Sequence, residues 1–185
     1  MEQLINSIRR IDVTITEWMA RYGVTLLRIS IGIVFLWFGA LKFFPELSPA
    51  EGLAAQTIST LTFGIIGPEI SVPVLATWEV LIGLGLITGK FLRATILLLF
   101  VQMIGTTTPL LLFPTETFTQ FPIAPTLEGQ YILKNIVLVS AALVIGSQVR
   151  GGRVIADPQI AEKVKTIDDR PETHRPTRET APIHE

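Results

Sequence analysis

Glu79 stands inside the apolar stretch SVPVLATWEVLIGLGLIT, and Gln102, Lys134 and Asn135 stand in two others. A carboxylate, an ammonium and two carboxamides in such settings can pair charges, hold a proton or hydrogen-bond the polar end of a lipophile. Thr106 lies within the run Thr106-Thr107-Thr108, Lys42 closes a further apolar stretch, and Trp37 and Trp78 could supply aromatic walls. A charged side chain at mid-membrane costs about 2.5–3.5 kcal/mol even on the lenient insertion scale, so each such group needs a partner or a function. The 185-residue chain has no cysteine, which excludes disulfides, thiolate metal sites, iron–sulfur clusters and CxxC redox chemistry. Its two histidines, His174 and His184, sit in the charged C-terminal tail, so the apolar body offers no imidazole to a haem or a zinc ion, and no metal site is expected. Neither GxGxxG nor GxxxxGK[ST] occurs. These absences point away from a self-sufficient enzyme. The net charge of -1 provides no basic field for nucleic acid.

The elements that must position these groups follow from the distribution of charge. Fourteen of the Asp, Glu, Lys and Arg residues come after Gln148, leaving an apolar body and a polar tail. Roughly 20 apolar residues cross the hydrocarbon core of a bilayer. Four segments qualify, at about residues 24–44, 71–88, 92–113 and 130–149. Lys and Arg are retained on the cytoplasmic side. Arg9, Arg10, Arg21, Lys90, Arg93, Arg150, Arg153, Lys163 and Lys165 all fall on one side of these spans. The two connections on the other side, residues 45–70 and 114–129, contain no Lys or Arg but do contain Glu46, Glu51, Glu69, Glu116 and Glu128. The expectation is an all-α membrane protein: an antiparallel four-helix bundle in a bacterial inner membrane, with both termini cytoplasmic.

Residues 1–23 form a segment of their own. Leu4, Ile8, Ile11, Ile15 and Trp18 recur at alternating intervals of four and three, the pattern of an amphipathic helix lying on the cytoplasmic face, with Gly23 allowing a turn into span one. Packing on a soluble partner is the alternative for that face. Residues 150–185 have balanced charge, four prolines after Gly151 and no aromatic residue, so a disordered cytoplasmic tail is expected. In the first outer connection Leu53, Ile58 and Leu61 predict a short helix on, or dipping into, the outer surface. In the second, Pro114, Pro122 and Pro125 predict an extended strap.

Helical phase gathers the polar groups. At about 100° per residue, Arg28, Gly32, Phe35, Gly39 and Lys42 share one face of span one, and Ala76, Glu79 and Gly83 one face of span two. On span three the matching stripe is Thr95, Gln102, Gly105, Thr106 and Pro109, where Pro109 releases the carbonyl of Gly105. The expected site is an outward-facing pocket in which Glu79 is paired with Lys134 or Lys42 and hydrogen-bonded through Gln102, Thr106 and Asn135. Lys42, Lys134 and the secondary charge Arg28 each have snorkelling to the interface as the alternative. Glu79, about 12 Å from the outer end of its span, is too deep for that and must be paired or protonated. For Trp37 and Trp78 the alternative is ordinary packing or interfacial anchoring.

LLRISIGIVFLWFGALKF (26–43), the pair Trp78-Glu79 followed by GLGL, the basic turn before span three and GQYILKNIVL (129–138) resemble the DoxX-like group of four-helix bacterial inner-membrane proteins, nearest its YkgB-like branch. The resemblance implies a four-helix bundle associated with membrane redox work. Members of the group are linked to a thiosulfate:quinone oxidoreductase as its small subunit and to resistance against reactive chlorine.

Three functions are in competition. An accessory subunit of a redox or stress-response system would hold a quinone or another small lipophile and work with a membrane or soluble redox partner protein. A proton-coupled transporter would titrate Glu79 and need a homo-oligomer to complete a pathway. A purely structural subunit would use the polar cluster to set helix register. No intrinsic cofactor is expected in any of them.

Overall fold

The computed structural model describes residues 2–44, 47–48, 51–157 and 159–160. The expected disordered tail beyond these residues, with His174 and His184, lies outside the described residues. In chain order the elements are α1 (Glu2–Leu41), α2 (Glu51–Leu61), α3 (Pro68–Thr88), α4 (Leu92–Thr107), α5 (Pro109–Leu112), α6 (Pro114–Thr117), β1 (Phe118–Gln120), β2 (Ala124–Pro125), α7 (Leu127–Leu133) and α8 (Asn135–Ser147). Among the described residues four helical stretches are long and apolar enough to cross a membrane: Ile11–Leu41, Pro68–Thr88, Leu92–Leu112 and Leu127–Ser147. The chain is an all-α, four-helix membrane protein, and its two-stranded hairpin is a feature of one connection.

Residues 24–152 form one compact unit, distinct from residues 1–23 with the C-terminal segment. In the smaller unit Ile11, Ile15 and Trp18 of the expected apolar face are all exposed, and Trp18 packs its ring 5.7 Å from that of Tyr22. The turn expected at Gly23 is not made: α1 is helical without interruption from Glu2 to Leu41. A single glycine weakens a helix by only about 1 kcal/mol and does not by itself end one.

Within the larger unit, α3 starts with Pro68 in its first turn, where a missing N–H costs nothing, and ends at Gly89 with φ 70°. The turn through Lys90 and Phe91 makes α3 and α4 antiparallel neighbours. The last carbonyls of α3 have no intrahelical donors. Arg28 supplies one, donating to Leu86 O and, at 3.3 Å, to Ile87 O. Arg28 is therefore a cap on a neighbouring helix, a cation placed at the negative end of α3.

Close approach of α1 and α3 depends on small residues. A Cβ added at Gly83 would lie 2.6 Å from Leu36 N and 2.8 Å from Gly32 O. Below that contact, Ile31, Phe35, Ile82, Leu86, Leu99, Ala142 and Ile145 fill the half of the bundle nearer the turn at 89–91. The other half carries the polar groups, and two spans are interrupted there. Span three breaks at Thr108, where the proline removes a donor and the Thr108 hydroxyl recaptures Gly105 O at 2.6 Å. Span four breaks at Lys134, between α7 and α8.

The connection expected as an extended strap folds differently. Pro114 starts the helical turn α6, and β1 pairs antiparallel with β2, Phe118 opposite Pro125. Proline opens a first helical turn as readily as it joins an extended segment, and the Phe118–Phe121 ring contact at 5.2 Å draws the strands into a hairpin.

Replacing Gly83 with alanine is expected to force α1 and α3 apart and cost about 1–3 kcal/mol. Gly105→Ala, whose Cβ would meet nothing within 4 Å, should be neutral or slightly stabilising. Thermal unfolding of the two variants in detergent, followed by circular dichroism, checks the contrast.

Candidate functional site

Lys42 lies three residues beyond Gly39, immediately after the last residue of α1. With no Cβ on Gly39, α3 comes so near that an added Cβ would sit 2.8 Å from Glu79 Cβ. The approach brings Lys42 Nζ to 2.6 Å from Glu79 Oε2, with the two side chains only 8% and 10% exposed. Lys42 Nζ also donates to Phe38 O at 3.4 Å. From α4, Gln102 Nε2 donates to Glu79 Oε1 at 2.8 Å. Each carboxylate oxygen therefore has its own donor, and the pair is neutral as a unit. The desolvation of two ions, several kcal/mol each, is offset only by such geometry. The remaining amide oxygen, Gln102 Oε1, is buried without a partner among the described residues.

A second polar link joins spans three and four, where Asn135 Nδ2 donates to Thr106 Oγ1 at 3.2 Å. Trp78 is half-buried, its indole Nε1 donating to Leu98 O at 3.2 Å. All these side chains except Leu98 border one cavity of about 530 Å³. Phe35 and Met103 belong both to the packed core and to the cavity lining, so they form its floor. Leu53, Thr57 and Ile58 of α2 line it from the connection between spans one and two. At its side Lys134 Nζ lies 3.1 Å from the ring centroid of Tyr131 and 5.7 Å from that of Phe38, a cation over aromatic faces. Such a space can hold a largely apolar molecule with a few hydrogen-bonding atoms. Among the described residues no group of three or more His, Asp or Glu side chains could hold a metal ion.

The family model for DoxX matches residues 23–113. Over that stretch, just under half of its length, this membrane protein is similar to the DoxX family. No curated protein and no solved structure matches it. The matched stretch holds Lys42, Glu79, Gln102 and Thr106, while Lys134 and Asn135 come from the fourth span, beyond it.

Sequence-derived site residues are thus partly assembled and partly redistributed. Lys42 does not snorkel: the glycine-permitted contact places it against Glu79. Lys134 lines the same cavity but is not the partner of Glu79, because Lys42 and Gln102 occupy both carboxylate oxygens. Thr106 and Asn135 bond each other and not the carboxylate. Trp37 is 65% exposed and forms no wall. It follows the inward-facing Phe35 by two residues, about 200° around the helix, and Phe38 lines the cavity instead. Ser71, Tyr131 and the roofing face of α2 were not singled out from the sequence. The periodicity of Leu53, Ile58 and Leu61 signalled the helix but not what it covers, and Ser71 carried no signal.

Lys42→Met is expected to destabilise the protein by about 3–5 kcal/mol, because Glu79 would be left buried without its cation. The double variant Lys42→Met, Glu79→Leu should recover most of that loss. Equilibrium unfolding in mixed micelles measures both, and an unperturbed single variant would show that the pair is energetically idle.

Proposed function

We propose that this DoxX-like protein binds a small lipophile of the quinone class in the cavity between its four spans and serves as an accessory subunit of a membrane redox or stress-response system. One observation carries the reading: apolar walls enclosing about 530 Å³ converge on a charge-paired polar cluster with hydrogen-bonding capacity left over. The residues suit such a ligand, since aliphatic and aromatic side chains take its ring and tail while Gln102, Ser71 and Lys134 border the same space. Electron transfer would need a partner's cofactor, as the chain has no cysteine and no histidine in its apolar body. The resemblance of residues 26–43 and 129–138 to the YkgB-like branch supports the redox association. The nine Lys and Arg residues on one side of the spans support insertion in a bacterial inner membrane with both termini cytoplasmic and the cavity toward the outer face.

A structural role is the second reading, favoured by the closed Lys42–Glu79–Gln102 arrangement, which can set helix register without any ligand. Transport has less support. Between the level of Glu79 and the turn at 89–91, Thr95 is the buried polar side chain among the described residues, and apolar packing fills the rest.

Binding is tested by adding decylubiquinone or its reduced form to the purified protein and following thermal unfolding. Ligand at about 100 times its Kd should add roughly 2.7 kcal/mol of stability. Ala54→Trp, which places bulk at the cavity wall, should abolish the protection while leaving the unliganded protein folded. Protection that survives this substitution, or that never occurs, removes the reading in favour of the structural one.

A further inference from the structure

Gln102 is oriented by its neighbours. Its Nε2 donates to Glu79 Oε1 at 2.8 Å, and Glu79 Oε2 is held by Lys42 Nζ at 2.6 Å. Reversing the amide would set two acceptor oxygens against each other, so the ion pair dictates which end of the carboxamide remains free. That end is Oε1, which can only accept. The side chain is 7% exposed and lines the cavity, and Oε1 has no partner among the described residues. Ser71, on the same lining and 2% exposed, also has an unpartnered hydroxyl.

We infer that the cavity selects a lipophile whose polar end donates a hydrogen bond, and so takes the hydroquinone in preference to the quinone of the same tail. The inference rests on the lipophile-binding reading above. A quinone has only acceptor oxygens. Set against Gln102 Oε1 it brings lone pairs together and leaves a buried acceptor unmade, whereas a hydroquinone O–H satisfies it. Ser71 can donate or accept, and the Lys134 ammonium can donate to an oxygen in either oxidation state, so neither discriminates between the two forms. The Glu128 carboxylate on the same lining is exposed and solvated, so discrimination falls to the buried Gln102 Oε1, through a chain that starts at Lys42 and passes through Glu79.

One hydrogen bond of this kind corresponds to about a tenfold difference in Kd, equivalent to roughly a 30 mV rise in the two-electron midpoint potential of the bound couple. The test is isothermal titration of the full-length protein in nanodiscs, under anaerobic conditions, with decylubiquinol and decylubiquinone. The reduced form is expected to bind about tenfold more tightly. In Gln102→Leu the two affinities should converge, while Ser71→Ala should weaken both forms alike. A redox-inert comparison on the unmodified protein uses 4-heptylphenol and its methyl ether, and the phenol should bind more tightly by a similar factor. Equal affinities within either pair, or a ratio that persists in Gln102→Leu, overturn the donor preference while leaving lipophile binding in place. No binding by any of the four compounds overturns both.

Discussion

A lysine and a glutamate buried against each other, 2.6 Å apart, set the terms for the rest of the bundle. Neither ion is tolerable alone in hydrocarbon, and the two can meet only if α1 and α3 approach to backbone contact. Glycines at 32, 39 and 83 permit that approach. The ion pair and the glycine contact therefore depend on each other. Helix register follows from both, since shifting α1 by one residue would rotate Lys42 about 100° away from Glu79.

The consequences run outward from the pair. Because Glu79 is engaged on one oxygen by Lys42, it turns the Gln102 amide in a single sense, which leaves an acceptor buried at the cavity. The half of the unit nearer the turn at 89–91 is packed with aliphatic side chains and braced by Arg28 on the end of α3. In the other half both interruptions occur, at Thr108 and Lys134, beside the residues that bond across spans three and four. Interrupted helices next to a cavity are tolerated in membranes when neighbouring side chains satisfy the freed backbone, and the Thr108 hydroxyl on Gly105 O does so here. One half is thus built for packing and the other for enclosing space.

For a membrane protein without cysteine or a histidine in its apolar body, the function proposed above leaves the chain the tasks of binding and orienting, with electrons supplied from elsewhere. A charge-paired site suits that task. Under that proposal the internally cancelled charges let a neutral lipophile enter without an ion having to be desolvated again, and polarity enters the recognition through the orientation of one amide.

The number of spans and the inward faces of the first three were legible in the residues, because hydrophobic length and the 3.6-residue period are local properties of a chain. So was the need of Glu79 for a partner, which follows from the cost of burying charge wherever the helix packs. Which cation would answer it was not legible. Lys42 and Lys134 carry the same side chain and both lie near the end of a span, and only the glycine-mediated distance between α1 and α3 chose the first. The same holds for Arg28, whose destination is the end of another helix, and for Trp37, whose outward position is settled by where its neighbour Phe35 is buried. The roof supplied by α2, the hairpin after α6 and the unpartnered Gln102 oxygen arise from contacts between segments far apart in the chain. By itself the sequence determined what must be buried and what must not stand alone; the tertiary structure decided which groups meet, because pairing depends on interhelical distances that no single segment encodes.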